Sequence, residues 1–215
     1  QRKTTIKTVR DWFGDRKGYK GQRYQTILQG IQQYNDRTDG YLDDLLLRLE
    51  EGHRVLKETG SFFLHLDYRN VHYVKVLMDL IFGDECFQNE IIWAYDFGAR
   101  SKTKWPAKHD NILWYVKSLL KVYTFNYDAM DREPYLAPSL QTPERRVLGK
   151  TPTDVFWSTI ACGKERTSYP TQKPLGILER IVKVHSNPGD LLLDFYAGSG
   201  SFGEAAIKNN RNCTL

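Results

Sequence analysis

The sequence predicts an α/β fold with a mostly parallel sheet. Helical and strand-like hydrophobic patterns alternate along residues 40–117, which is the order expected when helices connect parallel strands. Nearer the C-terminus, three leucines at 191–193 precede a small-residue loop and then the apolar spacing of a helix. A buried strand, a tight glycine turn and a helix N-terminus together form a common ligand site of such folds.

The composition favours a single intracellular domain, with or without an insertion. The chain has 215 residues and a net charge of +5, which is compatible with a polyanionic partner but does not require one. The cysteines Cys86, Cys162 and Cys213 lie far apart, so we expect neither a disulfide framework nor a metal site. No apolar run reaches the ~20 residues of a membrane span, and the N-terminus has no signal-peptide core, so no membrane association is expected.

The N-terminal half contains clear helical and strand patterns after an irregular start. Residues 1–39 are polar, basic and weakly periodic, and we expect a mobile loop or excursion there. The later patterns predict a helix over 42–56 that ends before Gly60, a strand over 61–67, a helix over 71–81, and strands over 87–95 and 109–117. The last two strands flank a basic loop and predict an antiparallel hairpin at the sheet edge.

Residues 118–168 differ from the rest of the chain. Hydrophobic periodicity fades there, and prolines and tyrosines become frequent. The segment is predicted to be an insertion on the surface, and two roles stay open: target recognition or a simple connection. A rigid turn over 169–174 then leads into a helix over 175–185, which precedes the leucine strand.

Several of these segments together resemble one known family. Residues 194–200 read Asp-Phe-Tyr-Ala-Gly-Ser-Gly, and residues 169–174 read Tyr-Pro-Thr-Gln-Lys-Pro. They are similar to the Asp-Pro-Phe-x-Gly-Ser-Gly loop and the His-Pro-Thr-Gln-Lys-Pro turn of site-specific DNA methyltransferases that modify exocyclic amino groups, in the β-class order. Residues 65–69, 81–83, 89–93 and 108–113 resemble further strands and turns of that family.

The resemblance implies a Rossmann-like, S-adenosylmethionine-dependent methyltransferase fold in circularly permuted order. Residues 40–117 would form the catalytic-side half, 118–168 the insertion and 169–215 the cofactor-binding half. Lys173 suits the cofactor carboxylate on electrostatic grounds. The alternative is that these residues are purely structural. The glycine loop would then only join a strand to a helix, Asp194 would cap the strand end, and Lys173 would be a surface lysine at a helix start. The cofactor-binding residues implied by the resemblance are Asp194, Phe195, Tyr196, Ala197, Gly198, Ser199, Gly200, Thr171, Gln172 and Lys173.

The resemblance also implies double-stranded DNA as the partner, with the target base turned out of the helix. Phosphate contacts would come from basic loops, although any single cation there is equally explained as solvated surface charge. A restriction endonuclease or specificity subunit would be a further partner, in a bacterial or archaeal cytoplasm. The DNA-binding candidates are Arg100, Lys102 and Lys104 in one loop and Arg145 and Arg146 in the insertion.

The catalytic residues implied by the resemblance are not in this sequence. The family's tetrapeptide, Asp-Pro-Pro followed by an aromatic residue, is absent, and the resemblance would place it just before Gln1. We therefore expect a fragment of a longer protein. His65 is expected to be structural, and Asp67 either caps the next helix or faces the ligand crevice.

The expected activity is methylation of adenine N6, as in restriction-modification. Methylation of cytosine N4 is the alternative within the family. Two readings outside this activity also stay open: a non-catalytic relic that binds DNA or cofactor, and an unrelated α/β enzyme with a glycine loop.

Overall fold

The computed structural model describes residues 41–98 and 100–215. The excursion predicted for residues 1–39 lies outside these described residues. The chain divides into two compact units. The first unit contains the described residues up to Asn89 together with Leu113–Tyr123, and the second contains Glu90–Ile112 and Thr124–Leu215.

The first unit is built around a leucine-rich core. Helix α1 (Tyr41–Val55), strand β1 (Ser61–Asp67) and helix α2 (Val71–Phe82) occur where the hydrophobic spacing predicts them. Inward-facing side chains such as Leu46 and Leu49 are fully buried, and every second residue of β1 is buried. This alternation is the mark of a strand with one covered face.

The main sheet contains β1 together with β2 (Phe87–Ala94), β3 (His109–Val116) and β4 (Val155–Trp157), in the order β1-β3-β2-β4. The backbone N–H of Tyr95 donates to the carbonyl oxygen of Lys108 at 3.0 Å, and this bond joins the end of β2 to the start of β3. These two strands are therefore antiparallel, whereas β2 and β4 are parallel. The sheet is mixed, and the predicted α/β class is confirmed.

The hairpin of β2 and β3 forms as predicted, but its predicted place at the sheet edge is wrong. Strand β4 lies along the other side of β2, where Ile92 N–H donates to the Asp154 carbonyl and Ser158 N–H donates to the Ala94 carbonyl. A strand of three residues is too short to show a hydrophobic period, so the sequence pattern does not reveal it.

The C-terminal part of the second unit contains α4 (Leu175–His185), β5 (Leu191–Leu193), α5 (Ser201–Lys208) and β6 (Asn212–Thr214). Strands β5 and β6 are parallel and form a separate two-stranded sheet. The prediction that β5 is buried is wrong for the described residues. Leu191 and Leu193 are 63% and 48% exposed, because β6 is the only strand described beside them.

The inserted segment contains the short helix α3 (Pro143–Leu148) and is attached to α4 through Arg180. The Arg180 guanidinium donates to Asp131 at 2.6 and 2.9 Å and to Glu133 at 3.1 Å, and it lies over the Phe156 ring at 4.5 Å. Across residues 41–98 and 100–215, every helix is too short or too polar to cross a bilayer.

Candidate functional site

The loop between β5 and α5 is shaped by its own backbone. Gly198 and Gly200 have φ angles of +53° and +77°, in the left-handed region that glycine reaches without strain. The N–H of Gly200 donates to the Ala197 carbonyl at 2.7 Å, and the N–H of Glu204 donates to the Gly200 carbonyl at 3.1 Å. The loop therefore passes directly into the first turn of α5.

Three consecutive backbone N–H groups of this loop remain available to a ligand. Those of Ala197, Gly198 and Ser199 form no hydrogen bond with any residue that the structure describes. The N-cap residue of α5, Gly200, adds no side-chain cap. A row of amides beside a helix N-terminus attracts a carboxylate or phosphate group.

Asp194 is the first residue after β5 and begins the loop. Its backbone N–H donates to the Thr214 carbonyl at 2.9 Å and extends the pairing of β5 with β6. Its Oδ1 accepts a hydrogen bond from the Tyr196 N–H at 2.9 Å. One carboxylate oxygen thus shapes the turn, while Oδ2 has no hydrogen-bond partner within the described part of the chain.

Two aromatic side chains follow Asp194 on the loop. The rings of Phe195 and Tyr196 lie 5.0 Å apart between centroids, and the side chains are 38% and 54% exposed. Neighbouring exposed rings offer an apolar surface beside the free amides, which is suited to the non-polar part of a ligand.

The turn before α4 lies against the glycine loop. A Cβ atom placed on Gly198 would come within 3.1 Å of Cε1 and 3.3 Å of Cζ of Tyr169. The structure therefore brings together the two motifs that the sequence analysis assigned to one site. Thr171 and Lys173 follow on this turn, where the Lys173 Nζ donates to the Thr171 carbonyl at 2.8 Å.

Gln172 has a different environment from its two neighbours. It is 8% exposed, and its Oε1 accepts hydrogen bonds from the Thr167 N–H at 2.6 Å and hydroxyl at 3.0 Å. Its Nε2 donates to the Glu165 carbonyl at 2.7 Å. Because the side-chain amide is engaged inside the protein, its evident effect is to hold the turn in place.

The N-terminus of α4 is capped by a residue from a preceding segment. The N-cap residue Pro174 supplies no side-chain bond, but Oε2 of Glu165 accepts from the Leu175 N–H at 3.1 Å. Oε1 of the same carboxylate accepts from the Cys162 N–H at 3.4 Å. A carboxylate therefore already occupies this helix end.

Lys173 is the cation that the resemblance assigns to the cofactor carboxylate, and it is partly buried on the turn before α4. Burial lowers its pKa below the ordinary lysine value, and the nearby charge of Asp110 opposes that shift. The Tyr95 hydroxyl donates to Oδ1 of Asp110 at 3.3 Å. The effect of Asp110 on Lys173 was not predicted from the sequence, although Asp110 lies in the 108–113 segment that carries the resemblance.

The DNA-binding candidates lie in two places in the second unit. Arg100, Lys102 and Lys104 are exposed on the loop of the β2–β3 hairpin. Arg145 and Arg146 are exposed on α3, where the Arg146 Nε donates to the Gln141 carbonyl at 2.9 Å. The binding of both groups to DNA stays a prediction.

The carboxylate at the end of β1 is engaged locally. In the first unit, Asp67 accepts hydrogen bonds from the backbone N–H of Arg69 at 3.0 Å and from its Nε at 2.8 Å. Asn70 is the N-cap residue of α2, so Asp67 organises the turn before the helix. His65 is half-buried within β1.

A protein-family model described as "DNA methylase" matches residues 11–214 of the chain. DNA adenine methyltransferase YhdJ of Escherichia coli (strain K12) is 31% identical over 185 residues, which are 81% of this chain and 62% of YhdJ. Type II methyltransferase M.HpaI of Haemophilus parainfluenzae is 31% identical over 166 residues, which are 76% of this chain and 51% of M.HpaI. The chain thus spans between half and about three fifths of the length of these relatives.

Among solved structures, the M1.HpyAVI-SAM complex is similar with a TM-score of 0.59 and 23% identity. The similarity covers 88% of this chain and 86% of that chain. A likeness at this level of identity establishes a shared fold.

Proposed function

The chain belongs to the N6/N4 DNA methylase family, and we propose that it is part of a site-specific DNA methyltransferase that methylates adenine N6. The observation that carries this proposal is the contact of Tyr169 with Gly198, which sets the Thr171–Lys173 turn beside a glycine loop with free amides. The α/β fold is the Rossmann-like fold of such methyltransferases.

We propose S-adenosylmethionine as the cofactor, which supplies a methyl group on a positively charged sulfur. The free amides of residues 197–199 and the ammonium of Lys173 suit its carboxylate, and the free Oδ2 of Asp194 suits its amino group. The rings of Phe195 and Tyr196 would keep water from the apolar part of the ligand. Gln172 would act through the position of the turn and not by direct contact.

The acceptors for the target amino group are proposed to come from outside these residues. An exocyclic amine is a weak nucleophile because its lone pair is delocalised into the ring, and acceptors on its N–H bonds localise that pair. The Asp-Pro-Pro-aromatic sequence that carries such acceptors in the family does not occur here. The proposed division is a catalytic-side half over 40–117, a recognition insertion over 118–168 and a cofactor-binding half over 169–215.

Two related proposals concern the target and the partners. The name of YhdJ supports adenine, while cytosine N4 stays the alternative because the family includes both reactions. Double-stranded DNA is the proposed substrate, with contacts from the hairpin loop and α3. The name of M.HpaI as a type II methyltransferase supports a restriction-modification setting, with an endonuclease or specificity partner in a bacterial or archaeal cytoplasm.

The test uses the intact protein, S-adenosylhomocysteine and unmethylated genomic DNA. Calorimetric titration should show binding of S-adenosylhomocysteine, and nucleoside mass spectrometry after incubation with S-adenosylmethionine should show N6-methyladenine. N4-methylcytosine would replace the adenine proposal with its alternative. Cofactor binding without a methylated product would indicate a relic, and the absence of cofactor binding would reject the methyltransferase proposal.

A further inference from the structure

Trp105 is the most exposed aromatic side chain among the residues that the structure describes. It lies on the loop between β2 and β3, and 96% of its surface is accessible. An indole left in water contributes nothing to the folded core, and such side chains are enriched where proteins contact partners.

The loop that carries Trp105 is held by internal hydrogen bonds. The Ser101 hydroxyl accepts from the N–H groups of Thr103 at 3.3 Å and Lys104 at 3.2 Å, one residue before the indole. The Lys108 Nζ donates to the Gly98 carbonyl at 3.2 Å and links the two arms of the loop. Trp105 is thus presented from an ordered turn, so little conformational entropy is lost when it contacts a partner.

The charge around Trp105 indicates the chemistry of that partner. Within residues 96–108, Asp96 is the single acidic side chain, and it is outnumbered by cations. The side chains of Arg100, Lys102 and Lys104 form no ion pair with any described residue. A basic loop with an exposed aromatic ring combines phosphate attraction with base stacking. An apolar protein partner would not need the cations.

The base of the loop interacts electrostatically with the turn of the proposed cofactor site. Asp110 and Tyr95 are hydrogen-bonded to each other at the base of the hairpin, and the charge of Asp110 acts on Lys173 of the cofactor turn. DNA held by this loop would therefore be close to the methyl donor.

We propose that Trp105 inserts into the duplex and stacks in the gap left by the target base when that base is turned out. This inference rests on the proposed methyltransferase function and adds a positioning residue to it. The indole would stabilise the open duplex without touching the reacting atoms, and the neighbouring cations would hold the backbone on either side.

The test compares two labelled duplexes that differ only in one abasic site, which offers a ready-made gap. The intact protein with S-adenosylhomocysteine should bind the abasic duplex more tightly than the complete one. Trp105→Ala should lose that preference, and its affinity for the abasic duplex should fall about 5- to 150-fold, the effect of one lost aromatic–base stack. Trp105→Phe should keep part of the preference.

Salt dependence separates stacking from electrostatics. Trp105→Ala should leave the slope of log affinity against log salt concentration unchanged. Lys104→Gln should reduce the magnitude of that slope by about 1, the effect of one lost phosphate contact. Leu120→Ala is the matched control, because Leu120 is 92% exposed and lies outside the basic loop. Its duplex preference should equal that of the unmodified protein, and all variants should bind S-adenosylhomocysteine equally.

Two outcomes would overturn the inference while leaving the proposed function intact. The first is an equal abasic preference in Trp105→Ala and the unmodified protein. The second is a Trp105→Ala variant that binds DNA as tightly as the unmodified protein but differs from it in self-association. Trp105 would then contact a second protein molecule and not DNA. An intact protein that binds neither S-adenosylhomocysteine nor either duplex would instead reject the proposed function together with this inference.

Discussion

The ring of Tyr169 lies so close to Gly198 that a Cβ atom on the glycine would be 3.1 Å from its Cε1. This contact joins the turn before α4 to the loop before α5, although the two segments are separated in sequence by a helix and a strand. The candidate site depends on this approach, because neither segment alone provides both a cation and free amides.

We expect Gly198→Ala to damage the site through both sterics and backbone strain. The residue has a φ of +53°, where a side chain costs about 1–2 kcal/mol, and the added methyl group must push Tyr169 away. Affinity for S-adenosylhomocysteine should fall at least about tenfold, as measured by calorimetry.

Gly176→Ala is the matched control for that substitution. Gly176 lies in α4, and a Cβ placed there would meet no described atom within 4 Å apart from its chain neighbours and the backbone of its own helix. The change should leave cofactor affinity unaltered and be neutral or stabilising by up to about 1 kcal/mol in urea unfolding. Equal affinities of the two variants would show that the contact of Tyr169 with Gly198 is not needed for binding.

We expect Asp194→Asn and Asp194→Ala to separate the two roles of this carboxylate. Asparagine keeps an oxygen for the Tyr196 N–H but removes the charge, so cofactor affinity should fall about 10- to 100-fold with little loss of stability. Alanine also removes the turn bond and should cost about 1 kcal/mol more in urea unfolding. Unchanged affinity in Asp194→Asn would mean that the carboxylate only shapes the loop.

Much of the fold follows from local pattern. Leucine spacing predicts α1 and α2, and the glycine loop after residues 191–193 is visible because its composition differs from both neighbours. The resemblance also placed the Tyr169 turn and the Gly198 loop in one site, and the structure brings them into contact.

The features that sequence analysis missed depend on distant partners. Strand β4 forms by pairing with β2, and its three residues are too few to show a hydrophobic period in the sequence. The exposure of Leu191 and Leu193 depends on what lies beside β5, which its apolar composition does not reveal. The effect of Asp110 on Lys173 likewise arises only when the hairpin and the turn are brought together.

We expect the folded protein to lose stability in mild acid because of His185. Burial lowers the pKa of His185 to about 4, and its ring lies 5.3 Å from that of Phe125. The unfolded chain binds the proton more readily, at a pKa near 6.5, so this contribution is complete above pH 6.5 and is lost as the pH falls toward 4. The loss should reach about 3 kcal/mol by pH 4.

His185→Gln isolates that effect from the titration of carboxylates. Glutamine keeps a polar side chain but cannot take up a proton, so the variant should show a shallower decline in the free energy of unfolding between pH 7 and pH 4. Urea unfolding at intermediate pH values measures the difference. Parallel pH profiles of the two proteins would contradict a buried, neutral histidine.

The pH dependence of cofactor binding should report on Lys173. Burial lowers the pKa of this ammonium, so the free protein loses the positive charge at a lower pH than an ordinary lysine, whose pKa is about 10.4. Affinity for S-adenosylhomocysteine should therefore decline as the pH rises through the lowered pKa, because a neutral amine attracts the ligand carboxylate far less. Lys173→Met should bind S-adenosylhomocysteine more weakly at pH 7, and its affinity should lack this part of the decline. The titration of the ligand itself affects both proteins equally, so it cancels when their pH profiles are compared.

Lys164→Met is the control, because Lys164 is exposed on the segment that precedes the turn. Its affinity should show the same pH profile as that of the unmodified protein. A profile of the unmodified protein that matches that of Lys173→Met would place the carboxylate elsewhere.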